Sequence, residues 1–235
     1  TVGDPTQWDP EKIVLPPHLV DTKATREEFV KYLAEVEVLD EEVGQLMQTL
    51  KDAGVYDNTV LMFLSEQGNS FPFAKWTCYN QGLHSGMIVR YPKKVKAGSV
   101  SNALVEYVDV IPTFLDIAGI KVKKGQLDGK SFYPVLQQKT DEHKTYVFGL
   151  QTTRGIIGGS EYFGIRSAAT KRYRYIRNLT PEATFKNVAT GKKDPTWQSW
   201  LQLASTDKFA AQRVHDYQKR PAEELYDLQN DPYEF

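Results

Sequence analysis

The stretch DNTVLMFLSEQG, residues 57–68, decides the fold. Asp57 and Asn58 favour a turn. Residues 59–65 then form a short, unbroken apolar run, the pattern of a strand buried on both faces. The run stops at an acid, an amide and a glycine. Upstream, Phe29, Leu33, Val36, Leu39, Val43, Leu46, Met47 and Leu50 recur at three- and four-residue steps, which predicts an amphipathic helix over 25–53. Thr25 with Glu28 fits a capping box at its start, and Gly54 ends it. A long helix leading into a buried strand predicts an α/β layer. In that layer, 59–65 is an interior strand of a mixed or parallel sheet, and the helix lies on one face.

Working outward, residues 1–24 read as loop, because Pro5, Pro10, Pro16 and Pro17 interrupt any helix. Residues 87–91, MIVRY, form a second candidate strand. Asp109 reads as the N-cap of a short helix, with Pro112 in its first turn and Gly119 beyond its end. After about residue 145 the pattern changes. TYVFGL, EYFGIRS and RYRYIRNL read as strands, the last two as a hairpin around Thr170. TWQSWLQLA and DKFAAQRVHDY read as helices, and EELYDL as a final strand. The division is therefore an α/β core over 1–140 and a small α+β subdomain over 141–235.

The 235 residues are 40% hydrophobic, 25% charged and 12% aromatic, enough apolar material for a sizeable core. The net charge of −1 argues against nucleic-acid binding, which needs a basic face. The longest apolar run, VLMFL, is far short of a membrane span. One cysteine, Cys78, excludes an intrachain disulfide and a cysteine-based metal cluster. The first residue is Thr1 and no signal peptide is visible, so the chain reads as a piece of a longer protein.

In open α/β sheets, ligands sit beyond the carboxyl ends of strands. Glu66 and Gln67 fall at such an end. They either close a strand at the surface or offer hard oxygen donors suited to Ca²⁺ or Mg²⁺. Gly68 would let the backbone turn and approach a ligand. Lys75, set among aromatics in FPFAKWTCY, either snorkels to solvent or serves an anion. His84, in a flexible context, is a surface residue or a ligand. Arg166, Lys171, Arg172, Arg174 and Arg177 lie on the hairpin. The plainer reading of these is a solvated sheet face, with Tyr173, Tyr175 and Ile176 supplying the packed side. Asn178-Leu179-Thr180 is a glycosylation sequon. No Ser/His/Asp set, phosphate loop or HExxH is present.

Several segments, in order, resemble the sulfatase family of the alkaline phosphatase superfamily, over the C-terminal half of that family. VKYLAEVEVLDEEVGQLMQTLKDAGVYDNTVLMFLSEQG is similar to the family's long helix and metal-binding strand. GLHSGMIVRYP, VEYVDVIPTFLDIAG and LDGKSFYPVL follow in the family's order. YFGIRSAATKRYRYIRNL and EELYDLQNDPYEF resemble the branch containing heparan N-sulfatases. The resemblance implies an alkaline-phosphatase-like α/β sandwich with a small C-terminal subdomain. It implies a sulfuric ester hydrolase that cleaves sulfate esters or sulfamates, on a sulfated small molecule or glycan. One Ca²⁺ or other divalent cation is implied, with Glu66 and Gln67 standing where the family usually has Asp and then Asn or His. Lys75 stands where the family places a basic residue on the sulfate, and His84 is a substrate-binding candidate beside it.

The family's nucleophile is a formylglycine made from Cys or Ser in C/S-x-P/A-x-R. Neither Cys78 in CYNQG nor Ser167 in SAATK fits. The nucleophile is therefore expected outside this chain, in the rest of the same polypeptide, and the chain alone is expected to be inactive. No nucleic-acid or membrane partner is implied, and the family resemblance suggests a periplasmic, secreted or lysosomal setting. Two alternatives stand beside this. One is a phosphodiesterase or phosphonate hydrolase of the same superfamily, disfavoured by only four histidines and none in SEQG. The other is a non-catalytic binding module with a decayed site. An upstream C/S-x-P/A-x-R motif would separate the enzyme from the binding module.

Overall fold

The computed structural model describes residues 2–154, 156 and 158–235. Helix α1 spans Lys23–Asp52, about 45 Å at 1.5 Å per residue. It starts earlier than the capping-box reading placed it. Thr22 is the N-cap, its hydroxyl accepting the Thr25 N–H at 3.0 Å. Thr25 is buried instead and takes the indole N–H of Trp200 at 2.9 Å. Glu28 pairs with Lys31. The C-terminal reading holds: Gly54 sits at φ 69°, the left-handed turn that glycine adopts without cost.

The expected sheet environment differs. Strand β1, Leu61–Leu64, pairs antiparallel with β2, Met87–Arg90, in a two-stranded ribbon. Leu61 stands opposite Arg90 and Leu64 opposite Met87. A parallel neighbour needs a crossover of a dozen or more residues, usually helical. The only helix between β1 and β2 is α2, Asn80–Leu83, so the chain folds straight back. All four β1 residues are half-buried. Helix α1 packs on the later helix Pro195–Leu203 rather than on this ribbon. Phe29, Val30 and Ala34 near its start are buried, while Val36, Leu39 and Leu46 farther along are exposed.

Helices α3, Val110–Ile117, and α4, Tyr133–Leu136, follow. Asp109 precedes α3 but does not cap it with its side chain. Its buried carboxylate turns back to the Glu106 N–H (2.9 Å), the Lys130 N–H (3.0 Å), the Lys144 ammonium (2.9 Å) and His143 Nε2 (3.1 Å). Burial alone would raise the Asp109 pKa, but Lys144 and the backbone donors hold it below its ordinary value.

Four strands form an antiparallel meander: β3, Val147–Thr152; β4, Gly164–Ala169; β5, Tyr173–Asn178; and β6, Glu223–Asp227. Helices α5, Pro195–Leu203, and α6, Lys208–Gln218, intervene before β6. Asp194 and Asp207 cap them on the Trp197 and Ala210 N–H groups. One apolar core joins Leu19, Val20, Phe29, Phe71 and Phe73 to Phe163, Ile176, Trp197, Trp200 and Tyr217. The β5 alternation is the reverse of part of the sequence reading. Arg174, Ile176 and Asn178 face inward, whereas Tyr173 and Tyr175 face solvent. No helix among the described residues is long and apolar enough to cross a membrane.

Candidate active site at the end of β1

Beyond Leu64 the backbone is held on both sides. Ser65 donates its N–H to the Gly86 carbonyl at 3.0 Å, and its hydroxyl accepts the Gly86 N–H at 2.6 Å. The Ser65 carbonyl accepts the Tyr107 hydroxyl, and the Glu66 carbonyl accepts the Ser85 hydroxyl at 3.2 Å. The Glu66 main chain is thus fixed while its carboxylate stands in solvent, 80% exposed. Gly68 is required by close approach, though not to a ligand. A methyl group there would collide with the Gln81 carbonyl oxygen, and the Gly68 N–H reaches the Gly82 carbonyl at 3.3 Å.

The loop then carries Lys75 back over this end. Its ammonium lies 3.4 Å from Glu66 Oε2 and 5.0 Å from the centre of the Trp76 ring. Its N–H bonds the Asn69 carbonyl at 2.9 Å, and its carbonyl accepts the Asn187 side-chain amide at 3.4 Å. Two bulky residues around it have left-handed backbones, Phe73 at φ 68° and Trp76 at φ 61°. Each costs about 1–2 kcal/mol, strain that persists only where surrounding contacts over-determine it. Phe71 and Phe73 do not cover the ammonium, because both rings go to the core. Phe71 packs on Phe29 and Tyr32, and Phe73 on Tyr79, Tyr217 and the Arg213 guanidinium. Trp76 alone of the three lies against the ammonium.

Gln67 is half-buried. His84 follows α2 as an exposed residue, anchored by its own N–H to the Asn80 carbonyl at 2.8 Å. The donor set fits a hard divalent cation in kind, with one carboxylate and one amide oxygen. It does not fit in number, since Ca²⁺ takes six to eight oxygens. Among the described residues no group of three or more His, Cys, Asp or Glu could hold a metal. Cys78 is fully buried, and that burial pushes its thiol up to about 11, the state of an inert cysteine. Ser167 is buried as well.

A second layer, not legible in the sequence, supports this loop from behind. Glu224 accepts from Tyr79 (2.9 Å), Tyr226 (2.7 Å), Asn178 (2.6 Å) and Arg220 (2.7 Å). Asn178 also gives its amide to the Pro221 carbonyl at 2.7 Å, so the sequon asparagine is engaged in the interior. Arg174 pairs with Glu234 at 2.9 Å, and Glu234 accepts the Asn80 N–H at 2.5 Å. These groups grip residues 78–80, midway between Lys75 and His84. Only the inward alternation of Arg174 and Glu224 could have signalled them, and burial of such charges is not readable from residue type.

A family model described as Sulfatase matches residues 3–120, and one described as N-sulphoglucosamine sulphohydrolase, C-terminal, matches residues 68–208. An ulvan-active sulfatase of Formosa agariphila is 37% identical over 217 residues, covering 91% of this chain and 40% of its own length. Human N-sulphoglucosamine sulphohydrolase is 28% identical, covering 98% of this chain and 47% of its own. A protein solved in complex with its substrate D-glucosamine-2-N,6-O-disulfate superposes with a TM-score of 0.62 at 24% identity, over 91% of this chain and 37% of that one. The chain thus spans about two fifths of the length of the ulvan-active sulfatase. The fold is that of the alkaline-phosphatase-like sulfatases, as its structural neighbours show. With two family models each matching at least half of its residues, the chain belongs to the sulfatase family.

Proposed function

We propose that this chain forms the rear half of a sulfatase active site, one that hydrolyses sulfate esters or sulfamates on a glycan in the full-length protein. The observation that carries the reading is the convergence of the Glu66 carboxylate and the Lys75 ammonium, 3.4 Å apart, on a strained loop at the end of β1. Sulfatase relatives, and a structural neighbour solved with a disulfated glucosamine, support the substrate class.

Glu66 and the Gln67 amide oxygen would hold a Ca²⁺-like cation, completed by donors from the rest of the polypeptide. When bound, the cation supplies fixed positive charge at the sulfate. Lys75, whose ammonium neighbours Glu66 Oε2, would offer its charge to sulfate oxygens. A cation in a pocket shielded by Trp76 offsets the charge that develops on the leaving oxygen more strongly than one in water. His84, exposed after α2, is a further candidate for contact with the substrate. The formylglycine nucleophile belongs to residues outside this chain. The test is hydrolysis by the full-length protein of an aryl sulfate, sulfated glucosamines and a phosphonate monoester. Turnover of the phosphonate alone would reject the sulfatase reading. A phosphonate monoester hydrolase shares the fold, with a TM-score of 0.54 at 21% identity.

A further inference from the structure

The four-stranded sheet buries one face against α5, α6 and the loop that carries Lys75. Its other face is unusual. Strand register sets the outward residues in two cross-strand rows. The first runs Phe148, Ala168, Tyr175, Leu225, and the second Leu150, Arg166, Arg177, Glu223. The water-facing side of an antiparallel sheet is ordinarily polar. Here the first row is apolar from edge to edge, with Phe148 70% and Leu225 69% exposed. A contiguous apolar row of this kind marks an interaction surface.

The second row adds charge. Arg166 and Arg177 are direct cross-strand partners, an arrangement of like charges that destabilises a sheet unless something offsets it. Among the described residues neither guanidinium forms an ion pair. Arg166 donates through Nη1 to the Ile165 carbonyl at 2.8 Å and the Gln151 carbonyl at 3.4 Å, and has further N–H groups to spend. Glu223 stands opposite Arg177 on β6, but the carboxylate forms no ion pair with it, and its Oε1 accepts the Tyr175 hydroxyl at 2.9 Å. An anion bridging the two arginines would relieve their repulsion.

We propose that this sheet face is an accessory surface that holds a sulfated polysaccharide, apart from the Lys75 site. Sugar rings lie on Phe148 and Tyr175, which are two strand intervals, about 10 Å, apart. A sulfate bridges Arg166 and Arg177, whose planar guanidinium groups match oxyanion geometry. A chain anchored here keeps its remaining sulfates near the enzyme, which raises their effective concentration at the active site. The glycan is favoured over a nucleic acid because the chain carries a net charge of −1 and the basic pair is local. The assignment of a sulfated glycan rests on the sulfatase reading.

The experiment uses the full-length protein, with heparin as the probe at near-physiological salt. Arg166→Ser/Arg177→Ser should weaken heparin binding by about tenfold or more, the scale for losing interface arginines, and should flatten its salt dependence. Phe148→Ser/Tyr175→Ser, which keeps both charges, should weaken it several-fold. Aryl sulfate turnover and the thermal midpoint should stay at wild-type values in both. Heparin affinity unchanged in both double variants would overturn the proposal. So would a dimer that the Phe148→Ser/Tyr175→Ser variant dissociates without altering heparin binding, which would make the face a contact between copies. If aryl sulfate turnover is absent but the arginine variant still loses heparin, the catalytic reading fails and this surface stands.

Discussion

Arg174 and Glu234 meet at 2.9 Å with side chains only 6% and 1% exposed, and both hold Asn80. Glu234 takes its N–H at 2.5 Å, and Arg174 donates to its side-chain oxygen at 3.0 Å and to the Cys78 carbonyl at 3.4 Å. The pair joins β5 and the residues after β6 to the loop between Lys75 and His84. Removing one partner strands a buried charge. Glu234→Ala or Arg174→Ala should therefore cost about 3–5 kcal/mol. Arg174→Met/Glu234→Leu should recover much of that loss, since no charge is left unpaired. Denaturant unfolding of the full-length protein measures both, and a single variant within about 1 kcal/mol of wild type would contradict the assignment.

Two buried groups give stability an opposed pH dependence. Burial raises the Glu234 carboxyl to about 7 from 4.5, despite Arg174. The folded state therefore keeps a proton that the unfolded chain has lost. Its contribution is complete below pH 4.5 and is lost as pH rises through about 7. Burial lowers His18 to about 4 from 6.5, with help from Arg213. Its contribution is complete above pH 6.5 and is lost as pH falls through about 4. Between pH 4.5 and 6.5 the two slopes oppose each other. His18→Gln should expose the Glu234 slope, so that stability falls as pH rises. Glu234→Gln should expose the His18 slope, so that stability rises with pH. Thermal midpoints across this window check it, and parallel profiles in the two variants would refute it.

Gly68→Ala forces a methyl group onto the Gln81 carbonyl. The contact is with backbone, so relief requires the 66–86 loop to shift. We expect a loss of about 1–3 kcal/mol together with reduced activity, since both Glu66 and Lys75 ride on that loop. An alanine variant with unchanged melting and unchanged kcat/KM would show that the loop yields freely.

Lys75→Ala should lower kcat/KM on an aryl sulfate by about 10²–10³-fold, the scale for removing one preorganised stabilising group. Lys75→Arg should restore part of it, because charge is kept but shape is not. The half-buried ammonium has only the exposed Glu66 carboxylate as its ion-pair partner, so the melting temperature should change little. A kcat/KM within about twofold of wild type would make Lys75 an ordinary surface lysine.

Glu66→Ala should lower the divalent metal content of the purified full-length protein, with Gln67→Ala giving a smaller loss, because a carboxylate binds a hard cation more strongly than an amide oxygen. Elemental analysis of wild type and variants, dialysed against the same Ca²⁺ buffer, provides the comparison. Equal occupancy in all three would remove these residues from the metal site.

Periodicity and local chemistry alone determined most of the elements. The α1 stripe, the stop at Gly54, the Thr170 hairpin and the helices capped by Asp194 and Asp207 all follow from short-range rules that the residues carry with them. The order of segments likewise identified the family. Only the tertiary structure decided what each element faces. An unbroken apolar run specifies burial but names no partner, so β1 was legible as a strand while its antiparallel pairing with β2 was not. Thr25 looked like a cap until Trp200 required its hydroxyl, and Tyr175 looked like core until Arg174 took the inward side. Residue type sets the cost of burying a charge, but only the fold supplies the opposite charge and the donors that offset it. That is why Glu66 and Lys75 could be named from the chain, whereas the Arg174–Glu234 pair behind them appears only when residues far apart in sequence are brought within 3 Å.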